Sequence, residues 1–122
     1  MDIVSLKNQR EFDLVNSHGR KANGSCLILL LVQNFSRISN YEQGKPRIFL
    51  GMKVSRKFAK KAVIRNKAKR RIRHLMQDIA NDQSIDISDA AFIVIPKRGL
   101  ESVGFEKLSH DFRKNFLRLL EY

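Results

Sequence analysis

The segment from Ala62 to Met76, AVIRNKAKRRIRHLM, holds six lysines and arginines and no carboxylate, yet apolar residues recur through it about one helical turn apart. With Ile64 at zero and about 100° added per residue, Ile64, Ala68, Ile72, Leu75 and Ile79 fall within an arc of about 80°. Asn66, Lys69, Arg70, Arg73 and Gln77 fall across the opposite arc, and Arg65, Lys67 and Arg71 flank the apolar stripe. A chain with this segment must offer an apolar surface to one helix face and leave the other outside. The row Arg65, Lys69, Arg73 sets like charges four residues apart, which opposes the helix by roughly 0.2–0.5 kcal/mol per pair. Burial of the stripe, at about 1.5–3 kcal/mol per large aliphatic side chain, offsets the repulsion but does not account for the charge.

The charge is not confined to the helix. Between Gln43 and Gln77 stand 13 of the 24 lysines and arginines and no Asp or Glu, so half the basic residues of a +12 chain share one acid-free stretch. Such a surplus expects a polyanionic partner. A plain solvated face is the alternative for any charged helix. The length of the acid-free stretch, and the directional hydrogen-bonding group of Asn66 within it, favour phosphate contact. A membrane surface would want large apolar side chains exposed beside the cations. Here the stripe is interrupted by Ala68 and is needed for packing, so no membrane partner is expected.

With 122 residues, the chain is expected to form one domain spanning 1–122. A first helix is expected from Asn8, which forms a capping-box pattern with Glu11, to Gly19 as a left-handed terminator, with Phe12 and Val15 on one face. Strands are expected over Ser25–Gln33, Arg47–Ser55 and Ala90–Pro96, with a short pairing near Arg20–Ala22, and Gln33–Pro46 reads as a long loop. Phe105, Leu108, Phe112, Phe116, Leu119 and Leu120 mark a C-terminal amphipathic helix. The expected class is α+β: a mixed sheet with helices in a two-layer domain, in the order αβββαβα.

Other chemistries find little support. Cys26 is the only cysteine and sits in an apolar run, as a small buried hydrophobe would. His18, His74 and His110 lie on separate segments without neighbouring ligands, so neither a metal site nor a catalytic residue is expected. Asp78, Asp82, Asp86 and Asp89 are spaced temptingly but fall at a helix end and in a loop, where solubilising acids are common. The turn Lys97-Arg98-Gly99 suits a phosphate contact or an ordinary post-strand turn equally well. The N-terminus has no apolar run of signal-peptide character, and a reducing cytoplasm is the expected compartment.

The string Arg65-Asn66-Lys67-Ala68-Lys69-Arg70-Arg71-Ile72-Arg73, preceded by GMKVSRKFAKKAV, resembles the signature of the bacterial ribonuclease P protein subunit family. Gly51, Val54, Ser55 and Lys57 fit that family's strand end, with Arg56 a conservative change. REFDLVNSHG, AAFIVIPKRG and FEKLSHDFRKNFLRL are similar to its first helix, its later strand and its last helix, so nearly the whole chain is covered. The resemblance implies a non-catalytic protein subunit of an endoribonuclease that matures the 5′ end of tRNA. The partners it implies are the ribonuclease P RNA, which carries the chemistry, and the 5′ leader of precursor tRNA. It also implies that Mg2+ is required by the RNA-containing holoenzyme, with no cofactor bound by the protein alone and no obligate protein partner.

Residue by residue, the resemblance assigns RNA contact to Arg65, Asn66, Lys67, Lys69, Arg70 and Arg73, and leader contact to Phe12, Lys53, Ser55 and Lys57. Phe12 suits a base-stacking surface or the core, and Arg65 suits a helix brace or a phosphate ligand. Three departures stand out: Asn16 where many members carry a second aromatic, leucines such as Leu30 in place of a strand aromatic, and Lys67 for a planar arginine fork. An architectural ribosomal-type RNA-binding protein is the alternative that fold and charge would also suit.

Overall fold

Five strands make one mixed sheet in the order β1-β4-β5-β3-β2: β1 (Asp2–Ser5), β2 (Arg20–Asn23), β3 (Leu27–Val32), β4 (Arg47–Met52) and β5 (Ala91–Pro96). The computed structural model describes residues 2–39, 41 and 46–120. Strand β4 is parallel to both β1 and β5, whereas β3 runs antiparallel to β5 and to β2. The helices are α1 (Gln9–His18), α2 (Phe35–Ser39), α3 (Ala62–Ala80) and α4 (Phe105–Leu120), with a 3-10 turn at Leu100–Ser102.

Alternation along the strands divides the core. Leu27, Leu29, Leu31, Ile48, Leu50, Phe92 and Val94 face α3 and α4. Leu30, Val32, Phe49, Ala91 and Ile93 face the other way, toward Val15 of α1 and Phe35 of α2. The expected two layers are thus corrected to three, helix-sheet-helix, because the central strands are apolar on both faces and each face needs cover. The α+β class, the mixed sheet and the order αβββαβα all hold, with β1 and α2 added to them. Strand β1 escapes pattern reading because it is short and carries only Ile3 and Val4 as apolar residues. Helix α2 lies inside the expected loop, of which Asn40 and residues 42–45 fall outside the described residues.

Helix α3 docks as its stripe requires, with a shift. Ala68, Ile72, Leu75 and Ile79 are buried, but so are Met76 and Ala80, while Ile64 is only half-buried. Helix α1 begins at the Asn8 cap, whose Oδ1 accepts from the Glu11 backbone N–H at 3.0 Å. The Glu11 carboxylate reaches back one residue further than a capping box would, accepting from the Lys7 N–H at 2.6 Å. Gly19 ends the helix in an extended conformation (φ −80°, ψ 161°), not the left-handed one expected. Space is what demands glycine there: a Cβ would lie 2.4 Å from the Val15 carbonyl oxygen.

Candidate nucleic-acid interface

The turns between β4 and α3 are built so that α3 can carry its charge. Phe58 and Ala59 backbone N–H groups bond the Ser55 carbonyl, curling the chain after the strand. From one turn into α3, Arg65 reaches back and donates to the carbonyls of Ala59 at 2.9 Å and Lys60 at 2.7 Å. Arg65 is thus a brace for the turn. Arg71 ties the far side, donating to the carbonyls of Leu100 at 2.6 Å and Val103 at 2.5 Å.

The remaining cations point outward. Asn66, Lys67, Arg70 and Arg73 are exposed and Lys69 is half-buried; among the described residues none of these five side chains has a hydrogen-bond or ion-pair partner. Val63, 68% exposed, lies on the same side of the helix between Arg70 and Lys67. An amide, four cations and an apolar side chain on one face suit a strand that presents phosphates with sugars between them.

A second group of residues lies across the sheet. Phe12 is half-buried with its ring over Gly51, where a Cβ would come within 2.6 Å of Phe12 Cε1. Met52 and Val54 turn toward the α3 side, so Lys53 projects toward the α1 side with Phe12, and it is exposed. Along that rim of the sheet the half-buried Ile95 and Ile28 are paired across β5 and β3. Phe12, Lys53, Ile95 and Ile28 therefore border one groove beside α1. Leu30 is buried and takes no part, and the aliphatic side chain that reaches this rim is Ile28. Asn16, one turn beyond Phe12, is exposed.

Ser55 and Lys57 are not brought to this groove in the same way. The Ser55 hydroxyl accepts from the Lys57 N–H at 3.3 Å, and Lys57 lines a hollow with Arg56, Lys60, Arg65 and Arg98 at the start of α3. Arg98 escaped sequence reasoning as an individual, although its turn did not. Lys97 is committed to the Gly24 carbonyl at 2.5 Å, and Gly99, at φ 88°, turns the chain so that Arg98 stands free beside Lys57 and Lys60.

The aspartates after α3 and two of the three histidines make contacts within the fold. Asp89 accepts from the backbone N–H and hydroxyl of Ser36, and Asp82 accepts from Arg113 at 2.9 Å and from Ser84. The Ser84 hydroxyl, Arg113 and the Ser84 N–H hold the Asp82 pKa down at about 2. His18 Nδ1 bonds the Leu14 carbonyl oxygen, and His74 stands by Asp78 and the Phe105 ring. Among the described residues no group of three or more His, Cys, Asp or Glu could hold a metal ion, and no helix is long and apolar enough to cross a membrane.

A mixed sheet with one long helix whose docked stripe leaves an unpaired cationic flank defines a basic α+β protein built to meet a polyanion. The ribonuclease P family model matches residues 3–120. The chain belongs to that family. It is 47% identical over 118 residues to the ribonuclease P protein component of Rickettsia typhi, covering 97% of this chain and 98% of the relative. The corresponding protein of Rickettsia prowazekii is 47% identical over 116 residues, covering 95% and 94%. Among solved structures, the Thermotoga maritima RNase P protein is 26% identical with a TM-score of 0.67, over 90% of this chain and 92% of that one. The Staphylococcus aureus RNase P protein, 19% identical, shares the fold at a TM-score of 0.71, over 93% and 92%. Membership makes the chain a component of a tRNA-processing ribonucleoprotein endoribonuclease and implies a ribonuclease P RNA as its partner.

Proposed function

We propose that the chain promotes 5′ maturation of tRNA by binding two RNAs through opposite sides of its sheet. The α3 flank, with Asn66, Lys67, Lys69, Arg70 and Arg73, holds the catalytic RNA, and Arg65 keeps that flank and its turn in place. The groove beside α1 holds the single-stranded leader, with Phe12 offering a stacking face and Lys53 a phosphate contact, and Ser55 and Lys57 extend the path from groove to helix. The catalytic RNA performs the Mg2+-dependent hydrolysis, leaving a 5′-phosphate on the tRNA. The protein's cations lower the repulsion among phosphates that magnesium would otherwise have to screen. The cytoplasm, where precursor tRNA is made, is the compartment this activity needs.

The observation that carries this reading is the row of outward cations on α3 that have no partner among the described residues, in a chain of the ribonuclease P family. Reconstitution tests it: the purified chain, a bacterial ribonuclease P RNA and a precursor tRNA are assayed at low magnesium. Added protein is expected to speed cleavage and to tighten binding of precursor over mature tRNA. Failure of both would refute the proposal.

A further inference from the structure

Glu11 and Phe12 are consecutive in α1, and each is tied to β4 by its own route. The Phe12 ring sits over Gly51 of that strand. The Glu11 side chain is buried, and its Oε2 accepts from the Tyr41 hydroxyl at 2.5 Å. Tyr41 is seated on Phe49, two residues before Gly51 and on the same face of β4, with ring centroids 5.1 Å apart. From α2, the Ser36 carbonyl accepts from the Tyr41 backbone N–H at 3.1 Å, and the Phe35 ring lies 6.2 Å from the Tyr41 ring. The Arg47 guanidinium stands 5.4 Å from the same ring. Tyr41 is thus a post built on β4 and α2 whose hydroxyl reaches to α1.

The other side-chain hydrogen bonds of α1 among the described residues stay within the helix and the residues that lead into it. Packing of Val15 holds the helix against the sheet, but apolar contact is non-directional. The bond from Tyr41 is directional. A carboxylate taken out of water needs donors, and Glu11 Oε2 has the Tyr41 hydroxyl, so α1 cannot roll or slide without giving it up. The hydrogen bond to Glu11, with burial, pushes the Tyr41 pKa above the ordinary phenol value, which keeps the proton on the donor. We propose that Tyr41 is a positioning residue of the leader groove: through Glu11 it sets the height and roll of α1 over the sheet, and with them the Phe12 face on which the leader stacks. The role rests on the reading of that groove as the leader site. Asn16, one turn on, offers no second ring, so the placement of Phe12 carries the stacking on α1 alone.

The test uses the full chain reconstituted with a bacterial ribonuclease P RNA, and measures binding of precursor and mature tRNA. Tyr41→Phe removes the hydroxyl and keeps the ring, and thermal melting confirms that each variant is folded. The variant is expected to weaken precursor binding about three- to tenfold, a part of the about 5- to 150-fold that a whole stacked base is worth. Affinity for mature tRNA and for ribonuclease P RNA is expected to stay at the wild-type value, as is affinity for a precursor whose leader is trimmed to a single nucleotide. On a Phe12→Ala background Tyr41→Phe is expected to add no further loss, because the ring it positions is gone. If Phe12→Ala weakens precursor binding while Tyr41→Phe leaves it intact, the positioning role is refuted and the groove stands. Equal weakening of precursor and mature tRNA, or a further loss on the Phe12→Ala background, makes the hydroxyl a general structural contact and refutes the role as well. No preference for precursor in the wild type overturns the role together with the reading it rests on.

Discussion

Two arginines five residues apart show how position on one helix divides a residue type into different duties. Arg65 lies beside the stripe and donates to two carbonyls of the preceding turn, whereas Arg70 stands on the open flank. Arg65→Ala should lower stability by about 1–3 kcal/mol, from two net hydrogen bonds. Arg70→Ala should leave stability within about 0.5 kcal/mol and lower the salt-slope magnitude by about 0.7–0.9. Denaturant melts beside salt-titrated RNA binding separate the two. Asp111 supplies a further case. Its burial raises the energy of the charged form, but the backbone N–H groups of Cys26 and Ser25, the Ser25 hydroxyl and Asn115 outweigh that and depress its pKa. A depressed carboxylate stabilises the fold above the ordinary carboxylate range and ceases to do so as pH falls through its lowered value. Asp111→Asn should therefore be less stable by about 1.5–3 kcal/mol at neutral pH, with the gap to wild type closing in acid, as melts at several pH values would show.

At the scale of elements, the seat of α1 governs the groove. Phe12 can approach β4 this closely only because β4 offers Gly51 there, and Glu11 fixes the helix start by accepting from Lys7 and from the Tyr41 hydroxyl at 2.5 Å. Gly51→Ala should displace the ring and destabilise the fold by about 1–3 kcal/mol through overpacking. Phe12→Ala should weaken precursor tRNA binding by about 1–3 kcal/mol for one stacked base and leave mature tRNA unaffected, a comparison that reconstituted enzyme permits. The long periodic segments, α3 and α4, and the apolar strands β3, β4 and β5 were legible because each carries enough apolar residues to reveal its period. Strand β1 and helix α2 were not, since a few residues held by their neighbours carry no period of their own.

For the molecule as a whole, the layered arrangement decides where charge can go. Both faces of the central strands are covered by helices, which leaves helix flanks, the strand rims and the turns between them as the surface on which 24 lysines and arginines must lie. With a formal charge of +12, association with ribonuclease P RNA should be steered electrostatically, so its rate should fall steeply as salt is raised while the rate of dissociation changes less. Stopped-flow mixing over a salt series would check this.

Family membership, the helical period of Ala62–Met76 and its cationic flank are properties of residue order, because apolar spacing and charge are local along the chain. Tertiary structure alone decided that Arg65 braces while Arg70 stays free, that Leu30 is covered while Ile28 reaches the groove, and that Arg98 meets Lys57 and Lys60. Each of those outcomes depends on which segments pack together, and distances between residues far apart in the chain are set by the sheet's pairing, which no local pattern encodes.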